Sequence, residues 1–481
     1  MTLALPLAIV LATLLGALWY GQRRSGARSM DEWAVGGRRF GTWIFWFVNA
    51  GEIYTTFAVL GISGYAWAFG APAYIAFTSV SLACALGYWL QPKIWAAGRR
   101  HGLVTQADFF AQRYGATWLA VIVGLAGIAA LIVYVQIQIT ALSLVLRLAV
   151  GPQISTTQAA LLAALAMLGF VYVAGLRSAA FAAGVKDVLM IVMIVGLSLG
   201  VAERVGASSM LDVYLLAQER FPGLGDFPGL KPDAGLTATW LVTAALNVAL
   251  GTWIFPHMFQ LAFSAGSVAA IRRNAVWQPL YSLSYFFIIL LGFGALLAGT
   301  RPPDGNLNAV LLQFVADRYP AWAIGLLAGG AALLALVPGS ILLLSAASIF
   351  GRNVVLPLKR DLGDAAVLWV SRLAMVGFAG IAVWLTLTSN KSLVDIGLAA
   401  YAAIGMLAPG VFLGFLWTRA RAIGVFAGLV AGYAALLWPP AAALARQWLP
   451  EWDSGLVAML LNTVVVMLVS LLVPARRAAT G

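Results

Sequence analysis

Glu52 is the lone charged residue between Thr42 and Gly70. A stretch that long and apolar reads as a membrane span, and an acid at bilayer depth is costly enough to mark a polar pathway. Gly51, Gly61 and Gly64, with Thr55, Thr56 and Ser63, surround it with small residues and hydroxyls. A helix of that composition can open mid-span and expose backbone carbonyls, as binding sites inside membranes do. The pattern implies a carrier for ions and small solutes. The competing reading is a buried acid satisfied by neighbouring hydroxyls, with no further role.

Other residues carry chemistry of the same kind. His257 follows Pro256 in a second interrupted span, where it can bind a carboxylate, titrate in the physiological range or hydrogen-bond a freed carbonyl. Lys186 and Asp187 enter a later span together from its cytoplasmic end, where the lysine can snorkel to the interface as a helix-end anchor. Arg372 sits two turns into another span, snorkelling or pairing with an acid. Thr55, Thr56, Tyr134, Gln138, Trp253, Phe255 and Tyr401 lie on spans expected to face a central site and are candidates for substrate contact, although aromatic residues at helical spacing usually serve packing.

Enzymatic chemistry needs a convergent set of acids, histidines or an activated nucleophile. The only histidines are His101, in a loop, and the distant His257, so no catalytic residues are expected. The single cysteine, Cys84, excludes disulfides and cysteine-based metal sites within one chain.

These residues need a scaffold of membrane helices. The 481 residues are 62% hydrophobic and 10% charged, with mean hydropathy +0.93, which leaves no room for a soluble domain. About thirteen spans are expected, an all-α integral membrane protein. They fall at 3–20, 42–70, 72–97, 118–149, 157–176, 180–202, 236–264, 275–299, 320–350, 365–388, 393–417, 421–447 and 455–474. Hydrophobic runs are interrupted at Gly51–Gly64, Gly251–Pro256, Pro338–Gly339 and Pro409–Gly410. The first two interruptions lie five spans apart, the pointer to an inverted repeat with its site at mid-membrane. The chain then reads as one domain: an extra helix at 3–20, a first repeat at 42–202, a second at 236–417 and two closing helices at 421–474, with the first and sixth core helices broken.

The net charge of +12 is a topology signal, not one for nucleic acid. Basic residues recur in alternate loops: Arg23, Arg24, Arg28, Arg38 and Arg39; Lys93, Arg99, Arg100 and Arg113; Arg177; Arg272 and Arg273; Arg352, Lys359 and Arg360; Arg419 and Arg421; Arg476 and Arg477. By the positive-inside rule these loops are cytoplasmic, with the amino terminus outside and the carboxyl terminus inside the inner membrane. The acidic interval from Glu203 to Pro232 falls on the other face, with the Pro and Gly punctuation of an external loop. The first segment has its positive charges after it and reads as a retained span. Thr105-Gln-Ala-Asp108, followed by Phe109, Phe110 and Tyr114, opens a short amphipathic helix on the cytoplasmic surface, read as a linker.

Several of these runs carry a family resemblance: Arg38-Arg39-Phe40-Gly41, Leu60-Gly61, His101-Gly-Leu-Val-Thr105, Asp108-Phe109, Arg113-Tyr114-Gly115, Tyr134 with Gln136 and Gln138, Gly184-Val-Lys186-Asp187, Pro256-His257, and Arg272-Arg273-Asn274 with Pro279. In this order and spacing they resemble the sodium/solute symporter family over most of the chain. Gly51-Glu52-Ile53-Tyr54-Thr55-Thr56, Phe255-Pro256-His257 and Ser345 through Asn353 look most like its monocarboxylate permease branch.

The resemblance implies thirteen spans, the first outside the repeats, and a secondary symporter that moves a small organic solute, a short monocarboxylate, with a cation by alternating access. It also implies a sodium ion held by the backbone carbonyls of Ala50 and Ile53 and by two hydroxyls that should fall at Val337 and Pro338, which have none. Ser340 is nearby at a different spacing. Three outcomes stay open: a rearranged sodium site with Glu52 and Ser340, proton coupling, or no coupling ion. Glu52 is the candidate for the cation-linked step, and the resemblance implies a gating position for Lys186 and Asp187 near the inner gate. Apart from such a sodium ion no cofactor is expected. The alternatives are an amino-acid or other small-solute carrier of the same family, and a transporter-like sensor that moves nothing.

Overall fold

The computed structural model describes residues 4–22, 30–359 and 361–473. Of the topology markers, Arg23, Arg24, Arg28, Arg360, Arg476 and Arg477 lie outside the described residues. Every regular element among the described residues is helical, and Phe40 and Ala265 form one isolated parallel bridge. In chain order the longer helices are α1 (Ala4–Gln22), α2 (Thr42–Gly51), α3 (Ile62–Phe69), α4 (Ile75–His101), α5 (Gln106–Tyr114), α6 (Thr117–Val150) and α7 (Thr156–Leu199). There follow α8 (Met210–Arg220), α9 (Ala238–Thr252), α10 (Pro256–Ser264), α11 (Val268–Ser282), α12 (Ser284–Leu297), α13 (Val310–Arg318) and α14 (Ala321–Ile349). The chain closes with α15 (Asp364–Thr388), α16 (Leu393–Gly405), α17 (Ala408–Leu416), α18 (Ala422–Leu437), α19 (Pro439–Trp448) and α20 (Ser454–Leu472).

Among the described residues, seven helical segments are long and apolar enough to cross a membrane, and up to ten if each sharply bent pair is one span. Three shorter apolar segments, Ala4–Tyr20, Phe57–Phe69 and Thr156–Tyr172, fall where further spans are expected. The chain is a multi-pass membrane protein.

Two of the four expected interruptions form the centre of the fold. Between α2 and α3 the chain leaves the α-helical path at Glu52 to Thr55 and resumes through a π turn at Phe57–Gly61. The local cause is polar competition: the Thr55 hydroxyl accepts the Phe57 N–H at 3.3 Å, a bond that the helix ladder otherwise takes. Between α9 and α10 the break spans Trp253 to Phe255, and the axis bends by 49°. Pro256 is well placed at the first turn of the new helix, where no N–H is needed. A third bend of 42° separates α16 from α17 just before Pro409.

The fourth expected interruption is absent. α14 passes through Pro338 and Gly339 unbroken, enclosed by its neighbours, a setting in which membrane helices tolerate proline. Gly339 serves packing instead: a Cβ there would lie 2.6 Å from the Met167 sulfur and 3.2 Å from Gln138. The expected span 421–447 is also corrected. α18 ends at Leu437 and the chain turns by 84° into α19, which buries none of its residues, because the Pro439-Pro440 pair cannot continue the helix ahead of it.

The helical backbone also continues through the turn expected at 177–179, within α7. Yet Met167 meets α14 at Gly339 and Met193 meets it at Gly330. Those contacts are ~39 Å apart along α7 if it were straight but only ~14 Å apart along α14, so the two halves of α7 do not share one axis.

The interval after α7 contains α8, capped by Ser209 on the Asp212 N–H at 3.1 Å. Beyond α8 the chain straps the end of α3: Ala71 N–H donates to Leu224 O at 2.7 Å and Leu230 N–H to Phe69 O at 3.1 Å. Gly70, at φ +75°, makes the approach possible, since a Cβ there would stand 2.4 Å from Leu224 O.

Candidate functional site

The two helix breaks face each other in the protein interior. Glu52 is 2% exposed and His257 1% exposed, with Glu52 Oε2 3.8 Å from His257 Nε2, an ion-pair separation only if the imidazole is protonated. Among the described residues, no group hydrogen-bonds either carboxylate oxygen of Glu52 or Nδ1 of His257. The neighbouring hydroxyls therefore do not satisfy this acid. A buried polar atom without a partner costs about 1–3 kcal/mol, and more when charged.

Around this pair the chain gathers most of the residues picked out for substrate contact. Tyr134 stacks on Phe255 with ring centroids 5.2 Å apart, Phe255 meets Tyr401 edge-on at 5.1 Å and His257 lies 5.4 Å from Phe255. Tyr134 also adjoins Thr55, and Tyr401 adjoins Thr252. Thr56 donates its hydroxyl to Gln138 Oε1 at 2.9 Å, leaving Gln138 Nε2 without a protein acceptor. The result is an aromatic cluster beside one acid, one imidazole and one spare amide donor. Trp253 is not part of it: its indole N–H is held by Ala83 O at 2.6 Å and its ring covers Gly87 on α4. Arg372 is remote too, with its guanidinium 4.8 Å from the Tyr172 ring.

Lys186 and Asp187 are fully buried and in contact at 2.9 Å. The lysine does not snorkel. Its ammonium reaches the first helix break, donating to Gly51 O at 2.7 Å and Tyr54 O at 3.2 Å. Gly51 permits this approach, because a Cβ there would lie 2.8 Å from Asp187 Oδ2 and 3.0 Å from Lys186 Nζ. Gly51→Ala is therefore expected to destabilise the protein by about 1–3 kcal/mol, seen as a lower thermal midpoint. An unchanged midpoint would mean that the ion pair gives way freely.

Of the carbonyls considered as sodium ligands, that of Ala50 already accepts the N–H groups of Ile53 and Tyr54 at 2.9 and 3.1 Å. Ser340, on α14, donates to Leu336 O at 2.7 Å and Met167 O at 3.2 Å.

Sequence reading passed over several polar residues that shape the site. Asn49 joins Gln278 at 3.3 Å and Gln91 at 2.9 Å, a buried amide chain below the first break, and Tyr54 shares a 2.9 Å hydrogen bond with Ser282. Gln106, on the amphipathic helix read as a linker, donates to the freed Ile254 carbonyl of the second break. Its only sequence signal was an amide beside a capping motif.

That motif forms as expected: Thr105 and Asp108 cap α5 reciprocally. Asp108 additionally accepts from Arg352 and Asn353, both at 2.8 Å. Asp108→Ala is expected to cost about 1–3 kcal/mol by removing the carboxylate half of the cap and leaving the Asn353 amide N–H without its acceptor. A thermal melt should place Asp108→Asn between it and the wild type.

The model of the sodium:solute symporter family matches residues 33–432. The chain belongs to that family. Within it, the chain is 32% identical to the uncharacterized symporter YhjB of Bacillus subtilis, over 99% of this chain and 98% of that one. It is 27% identical to a monocarboxylate transport permease protein of Rhizobium johnstonii, over 97% and 96%. A solved Na+-coupled sialic acid symporter, substrate-bound and outward-open, shares the fold at TM-score 0.80 and 16% identity, covering 98% of each chain. The family and fold are those of transporters.

Proposed function

We propose that this protein is a secondary symporter of the inner membrane that carries a short monocarboxylate together with a cation, by alternating access around two broken helices in a five-plus-five inverted repeat. The observation that supports it best is the pairing of Glu52 with His257 across the two breaks, inside the box formed by Tyr134, Phe255 and Tyr401. A solute carboxylate finds donors there in His257 and the Gln138 amide, while its short apolar end packs on the rings. Glu52 is the acid whose state the accompanying cation changes; the cation is sodium by family habit or a proton. Differential binding to the outward- and inward-open states then couples the two movements. The 27% identical permease supports the choice of solute. The same box without that preference would suit an amino acid or another small solute.

The test is uptake of labelled pyruvate, lactate, acetate, alanine and proline into proteoliposomes under separate sodium and proton gradients. Accumulation of the three monocarboxylates above the amino acids is expected. Uptake of alanine or proline alone would replace the solute assignment, and no uptake above empty vesicles would favour a sensor.

A further inference from the structure

The family reading places a sodium ion on carbonyls at the first helix break, and the residues present do not fit one. Sodium, like other hard cations, takes oxygen ligands. Val337 and Pro338 supply no side-chain oxygen, the Ser340 hydroxyl is directed at Leu336 O and Met167 O, and the Ala50 carbonyl is engaged by two backbone N–H groups. Two carbonyls at the break, Gly51 O and Tyr54 O, are held by Lys186 Nζ at 2.7 and 3.2 Å. Asp187 Oδ1, at 2.9 Å, completes the set. The ammonium thus donates to two carbonyls, and its charge is met by the carboxylate.

We propose that Lys186 is a tethered cation that takes the place of a bound sodium ion at the first helix break, so that the solute movement proposed above proceeds without sodium. This narrows that reading and rests on it only for the solute. The site has the parts of a cation site: two carbonyls at the break, one carboxylate and full burial. The positive charge it holds is covalently attached and cannot leave. A sodium ion on the same carbonyls would stand within ~4 Å of the ammonium, and repulsion at that distance lowers affinity on the order of a thousandfold at an interior-like dielectric. Gly51 adds a second independent sign, because its missing Cβ is the space into which the Lys186–Asp187 pair fits.

The geometry also says what removing the ammonium does. In Lys186→Met the two carbonyls and the Asp187 carboxylate remain as an anionic cluster of oxygens of the kind sodium prefers. The experiment is thermal unfolding of purified protein in detergent, in sodium chloride and in choline chloride at equal ionic strength, with binding of radioactive sodium measured alongside. Neither readout needs a transported solute.

Wild-type protein is expected to melt at the same temperature in both salts and to bind no sodium saturably. Lys186→Met should melt several degrees lower in choline and recover in sodium. The neutral pair Lys186→Met with Asp187→Asn, which removes the unpaired charge and serves where the single variant fails to fold, should show no difference between salts. Saturable sodium binding by the wild type, or a Lys186→Met protein indifferent to sodium, would overturn the proposal. Failure of monocarboxylate uptake would instead sink the solute assignment and leave this one standing.

Discussion

Glu52→Gln is expected to lower solute uptake on the order of a hundredfold, the upper end of ordinary coupling energies, while leaving the fold as stable as before or more so. The reasoning starts from the two carboxylate oxygens, neither of which has a hydrogen-bond partner among the described residues although the residue is 2% exposed. Such a group is a standing cost to the fold, so a neutral side chain of the same shape relieves part of it, by about 1–3 kcal/mol. Function should move the other way, because the amide can neither hold a cation as a carboxylate does nor take up and release a proton beside His257, 3.8 Å away. Uptake measured beside a thermal melt separates the two effects. A Glu52→Gln protein that transports at the wild-type rate with unchanged ion dependence would remove Glu52 from the coupling step.

The second large effect is an asymmetry within the Lys186–Asp187 pair. Lys186→Met in the absence of sodium is expected to destabilise the protein by about 3–5 kcal/mol, because it leaves a buried carboxylate with neither a counter-charge nor its ammonium donor. Asp187→Asn should cost less, about 1–3 kcal/mol, since the ammonium keeps the Gly51 and Tyr54 carbonyls and the amide oxygen still accepts. The double replacement should then be milder than the two single costs added together, with a coupling energy of about 1–3 kcal/mol in a double-mutant cycle. Additive costs would mean that the two charges do not depend on each other, despite their 2.9 Å contact.

How much of this was legible in the chain depends on the physical origin of each feature. The breaks at Gly51–Gly64 and Gly251–Pro256 were readable because glycine, threonine and proline act on their own backbone, within a few residues. The same logic failed at Pro338–Gly339. Whether a proline interrupts a helix depends on what encloses it, and the partner of Gly339 is Met167, far away in the chain. Glu52 and His257 stood out as lone polar groups in apolar spans, but their juxtaposition needed both breaks in place. Trp253 lies next to the second break in sequence yet faces α4, a matter of side-chain direction that no spacing encodes. Lys186 was the least legible residue. Beside a helix end a lysine reads as an anchor, and only the fold brings it to carbonyls 135 residues away.

The nine-residue helix α5 ties down two separate parts of the molecule. Gln106 holds the Ile254 carbonyl at the second break and Asp108, two positions on, holds Arg352 and Asn353 beyond the end of α14. Two side chains so close together on one stiff element move with it: tilting the helix far enough to free one withdraws the other. The short helix is thus a single latch with two bolts, one on the second break and one on the residues that follow α14.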